Sequence, residues 1–510
     1  MKKKQYILII GAGIAGLTAG YSIVLNSDEY KPIIIEKDSD IGGLARTYNY
    51  DGIKADIGPH RFFTKNEEVF NLWKEILPLQ GYNAKDDIYL ERMNDFKNGI
   101  ANPQIDDKVF LKRRRFSRIY YNKKFFDYPI KINLSTIFNM GCFNTLLCGF
   151  SYIKSCFIKQ KEKNLEDFMI NRFGKKLYSM FFEHYTEKVW GRHPKNISKE
   201  WGEQRIKGLS LLKAIFSKFK AQKENSLVEE YFYPKYGANQ MCEEMAKVIL
   251  DKGGEIYLNS KVTNIKLEDN EVKKLEIISK NNKYELSGDF IISSMPIKDL
   301  IGSMDNCPQL VKNIAENLPY RDYQLVSFLV KNFNLVNNTD WKTINNICPD
   351  SWIYIQDRDV TIGRIYIPKN FSPYLSNDLN DTLICLEYFC NKNDKLWLMS
   401  DEEIYSYAIN ELIKINAITS DKDIIKSYRL KKEKAYPAYF DSYKEFSIVK
   451  NFLSSIDNLI CIGRNGQHKY NNMDHSTLSG ITAADIIINK LDKSVIWDIN
   501  TDKTYQEVKS

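Results

Sequence analysis

The sequence predicts an α/β protein: a Rossmann-like dinucleotide-binding domain assembled from separated segments, with a helical domain and an antiparallel β-sheet domain inserted. Three observations lead there. Tyr6–Ile10 is an apolar strand that runs directly into Gly11-Ala12-Gly13-Ile14-Ala15-Gly16 and a helical pattern. Residues 131–222 carry helical periodicity, with Phe168, Phe173, Leu177, Phe181 and Tyr185 on related faces. Short β-patterned runs dominate 320–390, after a strand at 289–296 that reads as re-entering the nucleotide-binding sheet.

The glycines have separate tasks. Gly11 permits a tight turn, Gly13 lets backbone approach a pyrophosphate, and Gly16 lets helix and strand pack closely. Ile14 and Ala15 open the helix, whose free N–H groups and positive dipole end suit that pyrophosphate. A glycine triplet alone is weak evidence. Here the second strand, Pro32–Ile35, ends in Glu36 followed by Lys37, about 20 residues on, where a ribose-binding acid belongs. The complete unit specifies an ADP-containing dinucleotide.

At 510 residues the chain exceeds the ~250–300 at which a single core stops growing, so several domains are expected. Residues 1–110, 226–300 and 435–492 are assigned to the nucleotide-binding domain, and 131–225 to the helical domain. The β-hairpin 111–130 and the β-rich stretch 301–434 are assigned to the substrate domain. The tail 493–510 lacks periodicity and is expected to fray. A net charge of +8 on a chain this long suits an anionic small molecule better than nucleic acid. The nine cysteines form no C-x-x-C pair and have no histidine at zinc spacing, so no metal is expected, and reduced thiols in the cytoplasm are. Lys2-Lys3-Lys4 before an apolar run imitates a secretory signal, but glycines occupy its would-be apolar centre, so export is not expected. The apolar stretch 133–158 is interrupted by Asn139, Asn144 and Thr145, which argues against a membrane span. It reads as a buried or half-buried helix, with peripheral attachment to a membrane as the alternative.

Beyond Glu36 come Ile41-Gly42-Gly43-Leu44-Ala45-Arg46-Thr47 and Ala55-Asp56-Ile57-Gly58-Pro59-His60-Arg61-Phe62-Phe63. The acid, glycine pair and Arg46 resemble the FAD-binding start of the amine-oxidase superfamily, which includes protoporphyrinogen oxidases, phytoene desaturases and UDP-galactopyranose mutases. Further motifs are similar to the mutases: Glu187-Lys188-Val189-Trp190-Gly191 with Trp201-Gly202-Glu203-Gln204-Arg205, Gly363-Arg364-Ile365-Tyr366 leading to Asn370–Tyr374, and Tyr436-Pro437. The segment Gly463–His475 resembles the mutase G-R-x-G-x-Y-R-Y pattern joined to an N-x-D-H-S ending. It departs from that pattern at Lys469, where mutases carry a substrate-gripping arginine, and at His468, where they carry tyrosine.

The resemblance implies resident FAD, reduced by NADH or NADPH as an external donor. It assigns the cofactor to the glycines and acid above, with Lys37, Leu44, Arg46, Gly58, Pro59, His60, Val262, Arg464, Asn472, Met473, Asp474 and Ser476. For a mutase-like isomerase converting a UDP-sugar from pyranose to furanose in surface polysaccharide synthesis, reduced flavin is the nucleophile. The protein then orients substrate and neutralises diphosphate. Arg205, Arg364 and Lys469 are the expected cations, Tyr436 and Tyr470 the hydroxyl donors, and His60 a flavin contact or loop-setter. Plain structural readings stand beside these: a surface strand cation for Arg364, a helix ion pair for Arg205, a helix cap for His475 and a solvated loop for Lys112-Arg113-Arg114-Arg115, whose functional alternative is electrostatic steering of an anionic substrate or membrane contact. Two other functions stay open. One is an FAD oxidoreductase taking a hydride from an amine, carbocycle or isoprenoid; the other is a non-catalytic scaffold. Oligomeric state is not readable.

Overall fold

The computed structural model describes residues 4–96, 98–128, 130, 133–199, 202 and 230–500. A five-stranded parallel sheet forms the nucleotide-binding half, in the order Leu459–Cys461, Phe290–Ser293, Gln5–Ile10, Tyr30–Ile35, Glu255–Tyr257. Ile9 pairs with Ile34 on one side and Ile292 on the other. Helices and a three-stranded antiparallel sheet, Ser260–Glu268, Glu271–Ser279 and Asn282–Leu286, share its core, which is why Ile7, Leu8 and Ile9 are an unbroken apolar run with no exposure. Helix Ile14–Asn26 packs on helices Asn239–Asp251 and Met473–Ile488, so the first and last βα units share one core. The strand expected to re-enter at 289–296 does so, beside the first strand.

A seven-stranded sheet makes the second half, in the order Ile424–Pro437, Tyr320–Val330, Thr382–Cys390, Arg364–Tyr366, Trp352–Ile355, Ser117–Tyr121, Lys124–Asp127. It is antiparallel except where Trp352–Ile355 runs parallel to Ser117–Tyr121. The hairpin turn falls on Asn122 and Lys123, both with positive φ, as a two-residue turn between twisted strands requires. The boundary expected at 435 cuts the continuous strand Ile424–Pro437, so Tyr436 belongs to this sheet. Residues 110–114 leave the hairpin and pair with Glu230–Pro234, a strand that lies outside the parallel sheet. The cluster Lys112–Arg115 is therefore not a solvated loop. Lys112 pairs with Glu230, Arg113 is buried against Asp86 and Asp87, and only Arg114 points outward.

The helical region contains Leu134–Met140, Cys142–Phe157, Leu165–Phe173, Lys175–Phe181 and Glu183–Trp190. Asn133 and Asn164 cap their helices by accepting from Thr136 and Asp167 backbone N–H groups. Phe168, Phe173, Leu177 and Phe181 do share a core. The stretch 133–158 does not follow the buried reading, because its large apolar side chains face outward. Part of the tail differs too: Ile496, Trp497 and Ile499 are buried against the last βα unit.

Candidate active site

The glycine loop is a backbone device. Gly11 has φ +103°, and its N–H donates to Ile35 O at 2.9 Å. A Cβ on Gly16 would lie 2.0 Å from Gly11 O, so no larger residue brings this helix so close to the strand. Glu36 accepts from Ala12 N–H at 2.8 Å and from Asp38 N–H at 2.9 Å, which aims the acid along the loop. The helix starts at Gly13 with no side-chain cap and no acid in its first turn, leaving its N–H groups for an anion. Gly42 donates to Ala12 O at 2.8 Å and so ties the second glycine pair to the first loop. Arg46 locks that connection by donating to the carbonyls of Ile41 and Asp40.

These loops open into one cleft of about 1330 Å³, more than the ~300–1,000 Å³ of a single-ligand site. Every residue expected to hold the cofactor lines it, except Gly16, which packs helix to strand. Gly11, Gly13, Ile14, Ala15 and the Glu36–Lys37 pair form one wall with Gly42, Gly43, Leu44, Arg46 and Val262. Gly58, Pro59 and His60 line it as well, as do Arg464, Asn472, Met473, Asp474 and Ser476. The His60 loop is set by Asp56, which accepts from Thr47 at 2.6 Å and Tyr233 at 2.8 Å and lies 3.4 Å from His60 Nδ1. His475 is a capping residue, accepting from Asn472 N–H at 3.3 Å. Asp474 beside it is buried, which raises its carboxyl above the usual range.

At the far end the expected set separates. Arg364, Tyr436 and Tyr470 line the cleft. Tyr436 and Tyr470 are 5.7 Å apart and stacked, and the Arg464 guanidinium lies 4.6 Å and 4.1 Å from the two rings. Arg464 Nε and Nη2 are sealed from solvent with no hydrogen-bond acceptor among the described residues. A guanidinium without an acceptor at a cleft wall calls for an anion. That requirement fits a diphosphate, whether of the cofactor expected there or of a second ligand in the same cleft.

Arg364 is different. Both its Nε and Nη2 donate to Glu387, and Nη2 also donates to Tyr436 Oη at 3.0 Å. Glu387 has no exposure; burial pushes its carboxyl up while Arg364 pulls it back. Arg364 therefore brings a compensated charge to the cleft. Glu387 was the missed partner, and its signal was a single acid inside the buried run Thr382–Cys390.

Lys469 corrects the expectation of a substrate-gripping cation. Its Nζ donates to Trp497 O and to Ile499 O at 2.9 Å, away from the cleft, and burial lowers its pKa to about 8. His468 just before it has φ +49° and no exposure, and burial lowers it to about 4. That left-handed residue turns the chain so that Tyr470 faces the cleft and Lys469 the tail. The Glu187–Gly191 motif is also a joint: Lys188 donates to carbonyls of Ile355, Asp357 and Ile362, and Arg321 to Val189 O. Arg205 lies outside the described residues. Among the cleft cations outside the expected set, Arg61 and Arg115 each lie 5.9 Å from the Trp352 ring, and Lys261, Lys298, Lys431, Lys432 and Lys434 also line the cleft.

A family model for flavin-containing amine oxidoreductases matches residues 14–488. The chain belongs to that family. It is an FAD-dependent enzyme of the amine-oxidase superfamily. It is 25% identical over 356 residues to the 4,4'-diapophytoene desaturase (4,4'-diapolycopene-forming) of Methylomonas sp., an alignment spanning 65% of this chain and 61% of that desaturase. With the 15-cis-phytoene desaturase of Glycine max it shares 22% identity over 507 residues, 95% of this chain and 80% of the relative. The crystal structure of reduced UDP-galactopyranose mutase superposes with a TM-score of 0.76 at 18% identity, covering 98% of this chain and 99% of the mutase. At that identity the likeness is one of fold.

Proposed function

We propose that this flavoenzyme is mutase-like and isomerises a nucleotide-activated sugar, with a UDP-sugar as substrate class, in the cytoplasm and for surface polysaccharide synthesis. The observation that carries the reading is Arg464, clamped by Tyr436 and Tyr470 with two donor atoms lacking acceptors among the described residues, in a cleft too large for one ligand. Arg61 and Arg115 add positive charge where a long polyene would need apolar walls. Bound FAD in its reduced form, with NADH or NADPH as the donor, would supply the nucleophile. The chain's own groups bind and orient. The glycine loop and Glu36 hold the dinucleotide, the guanidinium groups offset diphosphate charge, and the stacked tyrosines present hydroxyls. Arg364 positions Tyr436 through its hydrogen bond.

Net oxidation, with FAD accepting a hydride from an organic substrate, is the second reading, favoured by the two desaturase relatives. Titrating the yellow protein with UDP and UDP-galactose separates the two. The expected result is a perturbed flavin spectrum and, under dithionite, a furanose product. Silence in both assays, with dioxygen-dependent turnover of an amine or isoprenoid, would establish the second reading instead.

A further inference from the structure

Helix Cys142–Phe157 is amphipathic in the reverse sense of a water-facing helix. Phe143, Leu146, Leu147, Phe150, Ile153 and Phe157 recur at helical spacing along one stripe, and that stripe is the exposed one. Phe143 is 73% exposed, Phe150 69% and Phe157 85%. The side chains turned inward are small, Cys148 and Ser155, and the helix rests on Leu165–Phe173 and Lys175–Phe181. The preceding helix, Leu134–Met140, extends the same surface with exposed Leu134 and Phe138. Apolar side chains of this size each offer on the order of 100–200 Å². Together they exceed the few hundred Å² that a soluble monomer ordinarily leaves bare.

The charges at the rim have one sign. Lys154, Lys159, Lys161 and Lys163 are exposed, and the one acid among residues 133–163, Glu162, is paired with Arg172 at 2.8 Å. A second copy would offer the same face, with no acids to meet these lysines. An anionic lipid surface supplies both an apolar boundary and negative charge. A helix of 16 residues is ~24 Å long, shorter than the ~30 Å hydrocarbon layer, and no helix among the described residues is long and apolar enough to cross a membrane. We propose that residues 134–163 form a monotopic docking surface for an anionic bilayer, with the Phe/Leu/Ile stripe at the headgroup boundary and the lysines against lipid phosphates.

The test uses the flavin-loaded full chain and co-sedimentation with phosphatidylcholine vesicles, with and without phosphatidylglycerol. Wild type is expected to sediment with the mixed vesicles and to partition at least about tenfold less into pure phosphatidylcholine. F143S/F150S/F157S is expected to lower partitioning by about a hundredfold or more while keeping its flavin absorbance, since all three side chains are exposed. K154Q/K159Q/K161Q/K163Q is expected to remove the preference for phosphatidylglycerol only. Three results would overturn the proposal. One is wild type that ignores both vesicles and runs as a dimer, with the triple serine variant running as a monomer. A second is wild type that ignores both vesicles as a monomer. The third is a triple serine variant that still partitions like wild type.

Discussion

The two ends of the cleft are built differently. The dinucleotide end is made of backbone: Gly11, Gly16 and Gly42 set turns and approaches that side chains would block, and Glu36 is fixed by two N–H groups. The far end is made of side chains from segments remote in sequence, and the three cations Arg464, Arg364 and Lys469 have three fates. Arg464 has two donor atoms without an acceptor among the described residues, Arg364 is neutralised and Lys469 is structural. A motif reports geometry faithfully where the backbone carries the function. It reports only residue type where side-chain direction decides.

Substitutions at the two ends should therefore fail in different ways. The largest effect belongs to the backbone end. Gly16→Val places side-chain atoms inside contact distance of Gly11 O, and the purified protein is expected to lose its visible flavin absorbance altogether. Retained flavin would show that the loop tolerates a shift. Next is Arg364→Ala, which strands the buried Glu387 carboxylate and is expected to cost about 3–5 kcal/mol in denaturant unfolding. Arg364→Met with Glu387→Leu should recover most of that loss. If the single variant is stable and merely binds UDP ligands poorly, Arg364 is a substrate cation after all.

His468 comes third. Its folded pKa of about 4 lies below the ordinary 6.5, so the unfolded chain takes up a proton first as pH falls. Stability is unaffected above pH 6.5 and falls between pH 6.5 and 4, by at most about 3 kcal/mol from this group. His468→Asn, which tolerates the left-handed backbone, should flatten that part of the unfolding profile. The smallest effect sharpens the contrast most. Lys469→Met should leave UDP affinity within about twofold, whereas Arg464→Met should weaken it by about tenfold or more. Equal losses would put Lys469 back in the cleft.

The parallel sheet was legible because apolar runs, glycines and a following acid leave few arrangements. Six strands of the seven-stranded sheet fall within the stretches read as β-patterned, 111–130 and 320–390, whereas the seventh, Ile424–Pro437, was not read as a strand. Strand Ile424–Pro437 carries Lys or Arg at 426, 429, 431, 432 and 434, with no period-two pattern, and ends in proline, so nothing local shows that it stays paired up to Tyr436. Lys469 was misassigned because the tail that receives it, Trp497 and Ile499, has no periodicity of its own. The outward face of Cys142–Phe157 was misread because composition alone does not say which side of a helix meets the protein.

The long strand Ile424–Pro437 has a mechanical consequence. It begins at the outer end of the seven-stranded sheet and ends on the cleft, where Lys434 pairs with Asp299 at 2.7 Å and accepts through its carbonyl from Asn465 at 2.9 Å. Both partners stand on the nucleotide-binding half. A hinge between the halves would have to break both of these contacts at the end of a strand that the eleven-residue neighbour Tyr320–Val330 holds straight. The seam behaves as a keel, and traffic of ligands through the cleft falls to the lighter parts around its rim.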